Sequence, residues 1–226
     1  MLKNMKLLVC TFICLFAVGI INVHAETRSV NDPDDLYSAL LDPKVDVVQL
    51  ADDITAEKYL QISIVDGNLT TRTLDLNGNT LNLDTGFQIM LKNQNVEEAN
   101  FIIKDSGSTG KIIQGSNNGR SMFQTDATSA NAKINLTIDG GKYEANQQGN
   151  NGGLFYGSDD GNENNIIIKN AIVDSYRLLA GNINNISIDN LTLSNPSAYI
   201  DGNIDVRLYD NSTKTYADIL GSKSEA

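Results

Sequence analysis

Two stretches of the chain carry the same alternation. Ile166-x-Ile168-x-Asn170 and Ile186-x-Ile188-x-Asn190 each put an apolar residue at every second position and stop at an asparagine. Alternation at period two marks a strand with one buried face. The asparagine marks a tight turn, because its short side chain tolerates positive φ and can hydrogen-bond its own backbone. The copies lie 20 residues apart, and a second apolar pair, Leu178-Leu179, sits between them. Strand, turn, strand, turn at this spacing describes one coil of a β-solenoid.

The pattern returns along the chain. Its anchor positions read as Leu76, Ile103, Ile138, Ile168, Ile188 and, in a degenerate last copy, Val206, at intervals between 18 and 35 residues. The other side of the coil recurs as Phe87-x-Ile89, Met122-Phe123, Leu154-Phe155, Leu178-Leu179 and Tyr199-Ile200. Intervals this uneven suit a parallel β-helix, whose coils keep their strands in line while loops of any length leave at the turns. The expected loops are 115–120, 125–131, 145–151 and 158–164. A β-sandwich also has short alternating strands, but here one motif recurs in one order and hairpin dipeptides do not dominate. In-line rows of asparagine should add ladder hydrogen bonds between coils. Residues 31–43 are different. Asn31 or Asp32 can cap a helix, Pro33 suits its first turn, and Asp34 and Asp35 favour its positive end. Leu36, Ala39 and Leu40 fall on one face. A short amphipathic helix here would plug the first coil, whose apolar interior and strand edges are otherwise open.

Residues 1–25 do not belong to this pattern. A basic start at Lys3 and Lys6, an apolar run and the small-x-small site Val23-His24-Ala25 form a secretory signal peptide, so the mature chain is expected to begin at Glu26. Cys10, Cys14 and His24, the only cysteines and histidine, leave with it, and the chain has no Trp. Disulfides are then absent, a zinc site lacks its usual ligands, and His- or Cys-based catalysis is excluded. The formal net charge of −11 becomes more negative once Lys3 and Lys6 are removed. Such a surface repels nucleic acid and, without a bridging cation, anionic polymers.

Candidate chemistry is sparse. Paired carboxylates can serve a glycosidase, and Asp139 with Glu144 or Asp159 with Asp160 are the nearest pairs; each also reads as solvated turn acids. The segment 158–164 gathers hard oxygens around a glycine. Asp159, Asp160 and Glu163 there are candidate Ca²⁺ ligands, although their spacing is not that of an EF-hand. Tyr143, Tyr156, Tyr176 and Tyr199 are candidates for an exposed sugar-stacking stripe.

The order of elements resembles a known family. Val30-Asn31-x-x-x-Asp35-Leu36-x-x-Ala39-Leu40, then Val47-Val48-Gln49-Leu50-Ala51-Asp52-Asp53-Ile54, then Leu74-Asp75-Leu76-Asn77-Gly78-Asn79-Thr80-Leu81, look like the opening of the pectate lyase-like adhesive domains. Gly181-Asn182-Ile183-x-x-Ile186-x-Ile188-x-Asn190 is similar to their closing coils. The resemblance implies a right-handed parallel β-helix of a secreted or surface protein, mainly of Gram-positive bacteria, that serves adhesion. It carries no site residue over, and the Trp/His and Arg-x-Pro-x-x-Arg signatures of true pectate lyases have no counterpart here. The resulting expectation is a leader at 1–25, a β-helix domain at 26–212 and a cap or tail at 213–226. The domain would bind an extracellular glycan or surface protein without catalysis, nucleic acid or membrane insertion, and with Ca²⁺ as the one cofactor to consider. A carboxylate-based polysaccharide lyase or hydrolase, and a truncated structural solenoid with no ligand, are the competing readings.

Overall fold

The computed structural model describes residues 26–65, 69–84, 87–94, 96–115, 120–127, 132–145, 153–158, 161–175 and 177–194, together with the backbone of two short strands at 199–200 and 206–208. Among the described residues twenty strands, β1 to β20, and one helix, α1, follow one another. The strands form three parallel sheets. The first, sheet A, takes β1 (Glu26–Val30), β2 (Val45–Leu50), β5 (Thr71–Asp75), β8 (Glu98–Lys104), β11 (Lys133–Asp139), β14 (Glu163–Lys169), β17 (Asn185–Asp189) and β20 (Val206–Leu208). Sheet B takes the short strands β3 (Ile54–Ala56), β6 (Thr80–Leu83), β9 (Lys111–Gln114), β12 (Lys142–Glu144), β15 (Ile172–Asp174) and β18 (Thr192–Leu193). Sheet C takes β4 (Leu60–Ile64), β7 (Ile89–Asn93), β10 (Phe123–Ala127), β13 (Phe155–Gly157), β16 (Arg177–Gly181) and β19 (Tyr199–Ile200). From β2 onward the chain visits A, B and C in turn, and each strand pairs with its counterpart one coil away. This is a parallel β-helix.

The interior is built from rows of like residues. In sheet A, Leu74, Ile103, Ile138, Ile168 and Ile188 stack in register, all fully buried, and the backbone of Leu208 continues the row. The row differs from the expected one at both ends. Leu76 is buried but lies past the end of β5, in the turn, and Val206 pairs with Ile186 rather than Ile188. Leu74 and Leu76 are both buried two positions apart, so alternation alone leaves the register open by one such step. Sheet C contributes Leu60, Ile89, Phe123, Phe155 and Leu179, in the expected order. Sheet B contributes Leu81, Ile112, Tyr143 and Val173. Each aliphatic residue buried this way contributes roughly 1.5–3 kcal/mol of transfer free energy.

Polar residues close the corner between sheets C and A. The Asn93 amide donates to the carbonyls of Val96 and Lys133, and Asn164 donates to those of Ser158 and Asn182. These bonds satisfy backbone oxygens where the chain leaves one sheet and enters the next.

The first coil is covered as expected. Helix α1 (Pro33–Leu41) starts at the cap residue Asp32, whose carboxylate accepts from the Asp35 amide at 2.8 Å, and it buries Leu36, Ala39 and Leu40. Strand β1 was not anticipated: it buries only Val30, so no alternation announces it, yet it pairs in parallel with β2. Arg28 on β1 pairs with Asp35 of the helix. The other end of α1 is held from below. Arg72 occupies an inward position of β5, 1 % exposed, and its guanidinium donates to the carbonyls of Leu40 (2.7 Å) and Asp42 (2.9 Å). A cation among the last carbonyls of a helix also faces the negative end of its dipole.

The stacking has a measurable consequence. Ile188→Ala should lower stability by ~2–5 kcal/mol, whereas Ser187→Asp, on the outward face of the same strand, should change it by less than about 0.5 kcal/mol. Urea unfolding of the two variants beside the parent chain checks both; equal effects would contradict the inward assignment of Ile188.

Candidate functional site

The outer face of sheet A is ordered in rows that run from coil to coil. Gln49, Asp75, Lys104, Asp139, Lys169 and Asp189 occupy successive rungs of one row. Rungs of a parallel sheet lie ~4.8 Å apart, and the signs of the charges alternate along the row. Lys104 Nζ lies 3.4 Å from Asp75 Oδ2, and Lys169 Nζ lies 3.0 Å from Asp139 Oδ2. Gln49 Nε2 donates to Asp75 Oδ2 at 3.2 Å. Four positions nearer the strand starts is a row of amides: Asn185 donates to Asn165 (2.8 Å), Asn165 to Asn135 (2.9 Å), and Asn135 to Asn100 (2.9 Å). Glu98 and Glu163 flank it and accept from Asn135 and Asn165. Between the amide and charge rows runs a neutral row containing Ile102, Thr137, Ile167 and Ser187, with Ile167 43 % exposed.

The turn from sheet A to sheet B varies in length, and that makes a step. After β8 the chain spends residues 105–110 before β9. After β11 and β14 it spends only Gly140-Gly141 and Asn170-Ala171. The long turn is tied down by two carboxylates. Asp105 accepts from the amides of Gly78 (2.7 Å), Gly107 (3.1 Å) and Gly110 (2.7 Å); Asp75 accepts from those of Asn77 and Ser106, both at 3.0 Å. The short turns carry a second amide ladder: Asn190 donates to Asn170 Oδ1 at 3.0 Å, and Asn170 to Asp139 Oδ1 at 3.2 Å, with φ near 53° at both asparagines. At the next rung the ladder stops, because Gly140 stands there. Gly140 and Gly141 both have positive φ, and a Cβ on Gly141 would lie 3.3 Å from the Gly110 carbonyl oxygen. The overhanging long turn and the missing rung enclose a polar cleft of about 440 Å³, lined by Lys104, Ser106, Ser108, Asp139, the two glycines and Asn170, with Asp105 behind.

Electrostatically the cleft mouth is balanced. Burial alone would push Asp75 up; hydrogen bonds from Ser106, Gln49 and Asn77 outweigh it and hold the carboxyl below its ordinary range. Asp139 behaves in the same way: partial burial opposes, while Lys169, Asn170 and more distant Lys104 bring its pKa down. Both remain ionised at neutral pH and neither is poised as a general acid.

Those of the residues singled out in the sequence that the structure describes do not come together. Tyr143 is inward on β12 and fully buried, 6.1 Å ring to ring from Phe123, so it offers no face to a ligand. Burial raises its phenol far above the ordinary value, and its hydroxyl has no hydrogen-bond partner among the described residues. Tyr156 is outward and half-buried on β13, on a different sheet. Tyr176 and the side chain of Tyr199 lie outside the described residues, as do Asp159 and Asp160. Glu163 belongs to β14 rather than to a loop, and its carboxylate faces Lys133 (3.8 Å) and Asn165 (3.0 Å). Asp139 and Glu144 sit on two different sheets, and Glu144 pairs with Lys142 at 2.9 Å. Among the described residues no three acids, histidines or cysteines are grouped to hold a metal. Sequence reasoning missed one aromatic cluster. Tyr59, 44 % exposed, meets Phe87 edge-on at 5.4 Å, and the Arg120 guanidinium lies 5.1 Å from the Tyr59 ring centroid. The only sequence signal was an aromatic one or two residues before each of β4 and β7.

A three-sheet parallel β-helix capped by a short helix, with stacked amide rows, defines a class of solenoid proteins. The model of the pectate lyase-like adhesive domain matches residues 27–149, more than half of the chain, and the chain belongs to that family. The coils continue in the same register well beyond residue 149, through β14 to β17. No curated protein and no solved structure matches the chain. Among the described residues no helix is long and apolar enough to cross a membrane.

Two outcomes follow from this geometry. Tyr143→Phe removes a buried hydroxyl that has no partner, and should raise stability by about 1 kcal/mol or leave it unchanged; a loss above ~1 kcal/mol in urea unfolding would mean that the hydroxyl is bonded. Asp75 has a folded pKa below its unfolded value of 3.8. Its contribution is therefore present above that pH and lost as pH falls through the lower, folded value. Asp75→Asn should lower stability at pH 7 and flatten the acid limb below pH 3.8, as read by thermal melts across pH.

Proposed function

We propose that the chain is a secreted or cell-surface adhesive β-helix that binds an extracellular glycan or protein and does not turn it over. Family membership supports the adhesive reading. The observation that carries the non-catalytic part is the alternation of charge on the outer face of sheet A. A lyase on this scaffold needs several acids together to hold a cation beside a strong base. Here every acid of the row has lysine or glutamine on a neighbouring rung, and Asp75 and Asp105 spend their oxygens on the backbone of the long turn. The basic, apolar start of the sequence supports export.

The mature chain should release neither unsaturated nor reducing ends from pectate, alginate, hyaluronan or peptidoglycan glycan strands, with or without Ca²⁺. It should bind saturably to at least one member of an array of surface glycans and matrix proteins. Turnover abolished by Asp139→Asn would replace the adhesive reading with an enzymatic one. Neither binding nor turnover would leave a purely structural solenoid.

A further inference from the structure

We infer that the step between the long turn 105–110 and the short turn Gly140-Gly141 is a binding site for a neutral sugar, an inference that rests on the adhesive reading. The cleft of about 440 Å³ lies within the ~300–1,000 Å³ of small-ligand sites. Its lining has no aromatic and no large apolar side chain, which argues against an apolar ligand. What it presents is a balanced set of donors and acceptors: the Lys104 ammonium, the Asp139 carboxylate, the Asn170 amide and the Ser106 and Ser108 hydroxyls. A sugar hydroxyl both donates and accepts, so neighbouring hydroxyls on one ring can use an ammonium and a carboxylate together. A free anion would meet Asp139 and Asp105, and a free cation would meet Lys104.

The groups are also held in place. Asp139 is fixed by Lys169 and Asn170, Asn170 by Asn190, and Ser106 by its amide bond to Asp75. A lining immobilised before binding loses little entropy when a ligand arrives. Gly140 adds no side chain to the lining, which lets a ring approach the backbone there, whereas the missing Cβ of Gly141 would face Gly110, Leu76 and Tyr143. The cleft is open and polar, so single-site affinity should be weak, roughly millimolar, and adhesion would come from many copies acting together.

The test is an amide NMR titration of the mature chain with neutral hexose and N-acetylhexosamine disaccharides, and with oligogalacturonate as the acidic comparison. Saturable shifts are expected at Ser106, Gly140, Gly141 and Asn170, stronger for a neutral sugar than for the uronate. Ser106→Trp, which keeps the backbone bond to Asp75 but lays a ring across the cleft, should weaken binding about tenfold or more. Lys104→Met should weaken it several-fold without adding bulk, and it serves if the Trp variant fails to fold. Shifts elsewhere that Ser106→Trp leaves unchanged, such as around Tyr59 and Phe87, would overturn the cleft assignment and leave the adhesive reading intact. Preference for the uronate would overturn the neutral-sugar assignment. Binding to matrix proteins but to no sugar would overturn this inference alone, and no binding to anything would overturn both.

Discussion

Parallel stacking in register is the constraint from which the rest of this molecule follows. Every residue on a rung has the equivalent residue of the next coil directly above it at ~4.8 Å, so each position must tolerate its own kind as a neighbour. Aliphatic groups do, and the interior becomes rows such as Ile103, Ile138, Ile168 and Ile188. Amides do as well, because each is donor and acceptor at once, and the Asn100–Asn135–Asn165–Asn185 row hydrogen-bonds along its length. Charges do so less readily. On the outer face of sheet A they alternate in sign from coil to coil, as Asp75, Lys104, Asp139, Lys169 and Asp189 do, whereas on sheet B Lys142 stacks on Lys111 and Glu144 on Asp174. Alternation along the sheet A row works against gathering like-charged acids on that face, which is what a cation-assisted active site requires.

A stack has two ends, and stacking cannot satisfy them. Toward the first coil the inward row that runs through Ile166, Leu136 and Phe101 ends not in a further aliphatic residue but in Arg72. A buried guanidinium would be costly if unpaired. Here it is turned upward into the helix carbonyls of Leu40 and Asp42, so the cost of ending the row is offset by fixing the cap that ends it. Helix, strand β1 and Arg72 form one unit: β1 covers the edge of β2, α1 covers the opening, and Arg28 and Arg72 hold the helix at its two ends.

Much of this was legible in the sequence because the dominant signal, alternation ending at asparagine, is the signal of stacking itself. The capping helix was equally plain, since its cap residue, first-turn acids and buried face all follow local rules. The third sheet was harder to see. Strands such as Lys142–Glu144 and Ile172–Asp174 hold a single inward residue, and one residue cannot alternate. Register at Leu74 and Leu76 was ambiguous because both are buried. Tyr143 and Tyr156 do not share a face because facing depends on parity within a strand: Tyr143 falls on the inward parity of β12, while Tyr156 falls on the outward parity of another sheet. The cleft was invisible for another reason, being made by a difference in length between two turns whose adjacency exists only once the coils are stacked.

That last point bears on where variation can occur in such a fold. Strand residues are tied to the coils above and below, so changing one disturbs a row. Turn residues answer to their rung only where a backbone or amide ladder passes through them. Between β8 and β9 the chain spends four more residues than between β11 and β12, and the strands on either side keep their register across the excess. The extra length is stabilised locally, by Asp75 and Asp105 bonding its amides, rather than by the core. A β-helix can therefore shape a recess at a turn with little disturbance to its stack, and the recess inherits rigid neighbours on three sides. On physical grounds a solenoid with so uniform a core would present its specificity at this kind of step, where one coil overhangs the next and the asparagine ladder is interrupted by glycine.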